Sequence, residues 1–192
     1  KCIFLAVECL AFLTVFLSAL QRNRATQLRS VFALVLLIGL FLAPMSATAK
    51  YASIVVDVNT GRILHATNAD TRNYPASLTK MMTLYIVFDS LNAGEITLKT
   101  KFKTSRRATQ QPPSRLGLRK NQTITVKNAI LSLVTKSAND VAVVIAENLS
   151  GSERAFALKM TAKARDLGMS RTTFRNASGL PHRGQMSTAR DM

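Results

Sequence analysis

Tryptophan is missing from the chain, and cysteine occurs only at Cys2 and Cys9, so everything after position 9 is free of thiols. That excludes a disulfide framework or a thiolate metal site from the body of the protein. The two histidines, His65 and His182, stand far apart without a matching ligand cluster, so neither a metal nor another cofactor is expected. Acid is scarce as well: 26 Lys and Arg face 10 Asp and Glu, a formal net charge of +16. Such a balance draws anionic partners, among them nucleic acid, phospholipid head groups and acidic polymers. Nucleic acid is not expected. Lys99, Lys101 and Lys103 alternate with Thr100 and Phe102 as on the exposed side of a strand, and no aromatic residues interleave with basic ones for stacking on bases. A solvated basic surface explains the charge, with association to a membrane surface as its functional extension.

Charge is nearly absent from the first 49 residues, which hold Lys1, Glu8, Arg22, Arg24 and Arg29, whereas residues 50–192 hold 22 Lys and Arg and 9 Asp and Glu. Ile3 to Leu20 is an apolar run almost long enough to span a bilayer, and a second run extends from Val31 to Ala43. The basic stretch from Gln21 to Arg29, the second run and the small-residue ending Ala47-Thr48-Ala49 together predict a secretory signal peptide over about residues 21–49, cleaved after Ala49. The protein is then exported, to the periplasm or cell envelope. Residues 1–20 have no part in that signal, and the chain opens on Lys, so they are expected to lie upstream of the true start; a two-span anchor is the rival reading.

From Lys50 the texture is that of a folded domain. Ala52 to Val58 and Arg62 to Ala66 predict a hairpin around Asn59-Thr60-Gly61, with His65 in a structural place on the return strand. Thr97 to Thr104 is a further strand candidate, the paired prolines Pro112-Pro113 mark a loop, and Thr123 to Val126 introduces a helix over Lys127–Thr135. Another helix is expected from Asp140, with its carboxylate at the positive end, to Leu149; Ser152 caps the next, which stops at Gly168.

Chemistry enters at Pro75-Ala76-Ser77-Leu78-Thr79-Lys80, which opens the uncharged run from Met81 to Phe88. The run predicts a mostly buried helix with Ser77 at its N-terminal edge. Residues three apart share a helix face, so Ser77 and Lys80 can meet. A lysine among apolar neighbours is costly to charge, its pKa falls, and it can serve as base toward the serine. The free N–H groups of the first turn could stabilise a developing oxyanion. The bland alternative is that Ser77 caps the helix and Lys80 snorkels to solvent. Ser137-Ala138-Asn139 follows sixty residues later, in a break between two apolar helices. Each motif is weak alone, but together, behind an export signal, they are much stronger.

With these motifs, and with Asp57-Val58-Asn59-Thr60-Gly61, Lys136-Ser137-Ala138-Asn139-Asp140 and Asn176-Ala177-Ser178-Gly179-Leu180-Pro181 beside them, the sequence resembles the penicillin-binding serine D-Ala-D-Ala carboxypeptidases over residues 50–192. The resemblance implies an α+β fold of the β-lactamase/transpeptidase type, helices around an antiparallel sheet. It implies Ser77 as the acyl-ester nucleophile, Lys80 as proton acceptor, Ser137 as proton relay and Asn139 as the residue that positions substrate and Lys80. The implied partners are peptidoglycan stem peptides as substrate and β-lactams as covalent inhibitors, in wall remodelling and cell shape. The family's Lys-Thr-Gly motif is absent: Lys99-Thr100 and Lys103-Thr104 are not followed by Gly. The chain therefore resembles a catalytic domain truncated before its last strands, and activity of this chain is not implied. His182-Arg183 stands where relatives often carry an acidic residue and a proline. A class A β-lactamase is the nearest rival, but it needs a downstream glutamate, and no Glu follows Glu153. A non-catalytic basic protein of the wall or membrane surface is the reading from another class.

Overall fold

The computed structural model describes residues 51–192. The expected signal peptide, its cleavage site after Ala49 and the apolar run before it lie outside the described residues. Strands β1 (Ser53–Val56) and β2 (Ile63–Thr67) form the expected hairpin. Asp57 organises its turn, with Oδ1 accepting the Asn59 N–H at 3.1 Å, the Thr60 N–H at 2.8 Å and the Thr60 hydroxyl at 2.7 Å. This is the self-bonding that makes aspartate a turn residue. The register shifts between Val55 and Val56, a bulge that simple alternation does not reveal. Val55, Val56, Ile63 and Leu64 are all exposed, so the hairpin leaves apolar side chains uncovered.

Helix α1 (Thr79–Asn92) follows a short 3-10 turn over Ala76–Leu78. Then come β3 (Lys101–Lys103), the single turn α2 (Arg106–Thr109), β4 (Thr123–Thr125), α3 (Val126–Lys136), α4 (Asn139–Ser150) and α5 (Glu153–Asp166). Strands β3 and β4 pair antiparallel, placing Phe102 beside Ile124 on the buried side and Lys101 and Lys103 on the exposed side. Among the described residues the strands form two separate two-stranded sheets, joined by no common ladder. This is an α+β arrangement.

The centre of the molecule is α4. Val141 to Ala146 reads Val-Ala-Val-Val-Ile-Ala, poor in helix propensity because most of these side chains branch at Cβ, yet every one is fully buried. A helix apolar on all sides is stable only when surrounded, and here α1, α2, α3, α5 and β3 surround it. Phe156 and Met160 of α5, Ile86 and Val87 of α1 and Phe174 complete the core.

Helix α1 departs from the expectation of a mostly buried run. Met82, Thr83, Ile86, Val87 and Ser90 face inward, but Leu78, Met81, Tyr85 and Phe88 form an exposed apolar stripe on the other side. The run is apolar on two faces, and the described residues cover one. Lys163 partly dresses the stripe, its ammonium 5.7 Å from the Tyr85 ring centre and 2.9 Å from Asp89. Among the described residues no helix is long and apolar enough to cross a membrane.

The link from α4 to α5 is short because Ser152 caps α5, its hydroxyl accepting the Ala155 N–H at 3.1 Å. Substituting Ser152→Ala leaves that N–H to water and should lower unfolding free energy by about 1 kcal/mol in urea titrations.

Candidate active site

Ser77 lies in the 3-10 turn, exposed, two residues before α1 begins. The turn is bent by Ala76 at φ +47, a left-handed conformation that costs a residue with a Cβ of the order of 1–2 kcal/mol. Two features hold it there. Pro75 accepts the Leu78 N–H at 3.1 Å, and Gly179, at φ +89, lies so close that any Cβ on it would overlap the Ala76 carbonyl. Bare backbone thus packs on bare backbone directly behind the serine. No side chain caps α1, so Ser77 does not play the capping part of the bland alternative.

Lys80 does not snorkel either. It is 4% exposed, and its Nζ donates to Asn139 Oδ1 at 2.8 Å and to the Ser178 carbonyl at 2.6 Å. Neither acceptor is a carboxylate. Burial therefore dominates, and it pushes the lysine pKa down from 10.5 to about 8. A neutral amine has two N–H groups and one lone pair. With both N–H groups directed at carbonyl oxygens, the lone pair is left to take a proton. Among the described residues, the Lys80 bonds run to Asn139 and Ser178 rather than to Ser77 or Ser137.

Ser137 and Asn139 occupy the break between α3 and α4. Ser137 takes φ 52, ψ 40, the left-handed C-terminal position usually given to glycine, with its N–H on the Leu133 carbonyl at 3.1 Å. A serine there presents a hydroxyl at a corner of the chain, at a backbone cost. Asn139 opens α4 and is buried. Its side-chain nitrogen donates to the Pro112 carbonyl at 3.1 Å and its backbone N–H to the Ser114 carbonyl at 2.7 Å. The structure thus brings Lys80 and Asn139 into direct contact across 59 residues of sequence.

The third wall is the segment Asn176–Leu180, quoted above for its resemblance without a role for any of its residues. It supplies the Ser178 carbonyl for Lys80 and the bare Gly179 behind Ser77. It is held from several sides. Thr83 of α1 donates to the Ala177 carbonyl at 2.7 Å, and buried Gln185 accepts the N–H groups of Arg175 and Asn176, each at 3.0 Å. Glu153 accepts the Ala177 N–H at 3.3 Å while its other oxygen pairs with Arg107. The proximity of Asn, Ser and Gly marks a tight turn in sequence, but nothing there says which carbonyl it presents. His182 and Arg183 are exposed, and nothing in the structure explains them. Among the described residues no three His, Cys, Asp or Glu side chains gather where a metal ion could be held.

Comparison with known proteins bears on the family and the fold. Residues 42–192 match the profile of the peptidase S11 family, described as D-alanyl-D-alanine carboxypeptidase. The chain is 36% identical over 141 residues to D-alanyl-D-alanine carboxypeptidase DacF of Bacillus subtilis, covering 73% of this chain and 36% of the relative. The crystal structure of the D-alanyl-D-alanine carboxypeptidase DacD of Francisella tularensis superposes with a TM-score of 0.72 at 34% identity, over 78% of this chain and 36% of that one. Penicillin-binding protein D2 of Listeria monocytogenes, solved in an ampicillin-bound form, superposes at 0.64 with 33% identity, over 73% of this chain and 57% of that one. The chain spans little more than a third of the curated relative's length. On the match of most of its residues to the family profile, and on a fold shared with solved members at about a third identity, this chain belongs to the peptidase S11 family of D-alanyl-D-alanine carboxypeptidases.

Proposed function

We propose that this chain carries the acylation centre of a serine D-Ala-D-Ala carboxypeptidase, with Ser77 as nucleophile. The observation that carries the reading is the Lys80 amine, buried, shifted to a pKa of about 8 and held by two carbonyl oxygens one helical turn from the serine. Ser77 Oγ attacks the carbonyl carbon between the two D-alanines of a peptidoglycan stem peptide, and its proton passes to Lys80. The tetrahedral intermediate then collapses: the C–N bond breaks, Ser137 relays a proton to the departing amine, and D-alanine leaves. Water attacks the ester, the C–O bond to Ser77 breaks, and the shortened peptide departs as a carboxylic acid. Asn139 fixes the amine, and the second N–H of its side-chain amide bonds the substrate.

β-Lactams present a strained amide to the same serine, and a solved relative holds ampicillin. Export to the periplasm or cell envelope, through the expected signal peptide, gives access to that substrate, in wall remodelling and cell shape. The basic surface, charged at Lys101 and Lys103 among others, suits an enzyme working beside anionic membrane or wall polymers. The β-lactamase reading loses ground because Glu153 is committed to Arg107 and the Ala177 N–H, which leaves it bound in structure rather than free to activate water.

A fluorescent penicillin should label the wild-type chain at Ser77 and leave Ser77→Ala unlabelled, as read on a denaturing gel and by mass spectrometry of the adduct. Absence of label on the wild type would remove the proposal. Because the folded pKa of Lys80 is depressed, the neutral base gains population as pH rises through it. The acylation rate should therefore climb about tenfold between pH 7 and pH 9 and then level off, and Lys80→Arg should abolish it. Gly179→Ala should drive the Ser178–Gly179 peptide off the Ala76–Ser77 turn, with loss of labelling and a lower melting temperature. Retained labelling in that variant would show that the close contact is dispensable.

A further inference from the structure

The two ends of a carboxamide have nearly the same shape, so the orientation of Asn139 is decided by what each end can bond. As observed, Oδ1 accepts from Lys80 at 2.8 Å and Nδ2 donates to the Pro112 carbonyl at 3.1 Å. Turned over, the amide would aim its N–H groups at the lysine. Against an ammonium that sets donor against donor. Against the neutral amine it would donate into the lone pair that has to take the serine proton, and the base would be disarmed. The Pro112 carbonyl, which can accept but not donate, keeps the amide the right way round.

Pro112 sits in a segment without regular structure, residues 110–122. Near the break this segment holds itself by the Ser114 carbonyl, which takes the Asn139 N–H at 2.7 Å, and by the Ser114 hydroxyl, which donates to the Lys136 carbonyl at 2.7 Å. Beyond that, three successive N–H groups converge on one carboxylate. Asp140 Oδ1 accepts from Leu116 at 2.9 Å, and Oδ2 accepts from Gly117 at 2.8 Å and Leu118 at 3.3 Å. Gly117 at φ +86 makes the bend that lets them converge. Asp140 is 0% exposed and also takes the Val141 N–H at 2.9 Å, so both oxygens are satisfied without a counter-ion. Bonds to a charged acceptor are the stronger kind, and breaking them leaves a buried charge.

We infer that Asp140 is a positioning residue for the Ser77 site: by anchoring residues 116–118 it holds the Pro112 carbonyl against Asn139, and so keeps the oxygen of Asn139 rather than its nitrogen toward Lys80. The inference rests on the reading of Lys80 as the base. Asp140 touches no reacting atom and acts through its sequence neighbour.

A double-mutant cycle on the acylation rate with fluorescent penicillin tests this, using Asp140→Asn, Asn139→Ala and both together, at a temperature where circular dichroism shows each folded. Asp140→Asn should slow acylation by roughly tenfold or more, and in the Asn139→Ala background should cost no more than about twofold further. Multiplication of the two single effects would overturn the inference, since a direct effect of the lost charge or a general loosening acts independently of Asn139. Gly117→Ala strains the same loop with the carboxylate intact, and should show the same dependence on Asn139 if Asp140→Asn does not fold. An unlabelled wild type would sink the proposed function instead, and the clamp would then be judged by hydrogen exchange in NMR. The Asn139 side-chain amide protons and the Leu116–Leu118 amides should exchange slowly in the wild type and lose protection together in Asp140→Asn. Protection of the Asn139 side chain that survives the loss of loop protection would overturn the inference.

Discussion

The structure depends on how a lysine amine is kept inside a protein without a carboxylate to balance it. Lys80 is bonded to two carbonyl oxygens, one from a side chain and one from the backbone. Carbonyl acceptors offset part of the lost hydration without contributing a full negative charge, so the amine stays buried and its proton is loosened. A glutamate in place of either acceptor would have locked the proton on.

Three short segments converge to make this possible, two of them held by buried side chains and one by close backbone packing. Residues 112–118 are tied to Asn139 and Asp140, the turn before α1 to Gly179, and residues 176–180 to Thr83, Glu153 and Gln185. Irregular segments have no ladder to satisfy their N–H and carbonyl groups, so side chains must do it. Part of the conformational cost falls at the same place: of the four non-glycine residues with left-handed φ among the described residues, Ala76 and Ser137 lie next to or at the residues proposed to carry the chemistry. The rigid reference for all three is α4, whose buried body fixes where Asn139 and Asp140 begin.

Apolar surface is unevenly covered. The core around α4 is closed, whereas the outer stripe of α1 and both faces of the hairpin are open among the described residues. The chain also spans a minority of its curated relative's length. The exposed stripe begins at Leu78, next to the nucleophile, so whatever lies against α1 also borders the site.

Much of this was legible in the sequence, for identifiable reasons. Hairpin, helices, caps and stops follow from local rules: Asn59-Thr60-Gly61 can be little but a turn, and Ser152 and Gly168 bracket a helix by their own bonding and backbone freedom. The break between two apolar runs that holds Ser137 and Asn139 was legible too, as was the place of Ser77 at the edge of the helix that carries Lys80. The bulge at Val55, the two-faced exposure of α1, the Ser178 carbonyl and the grip of Asp140 on residues 116–118 were not legible. A backbone carbonyl has no residue type, and a buried aspartate looks like a helix-end aspartate until its partners arrive from 22 to 24 positions away. The sequence by itself determined which chemical groups are present and which of them lie one helical turn apart. Tertiary structure alone decided which carbonyl oxygens receive the amine, because these come from chain segments 59 and 98 residues away.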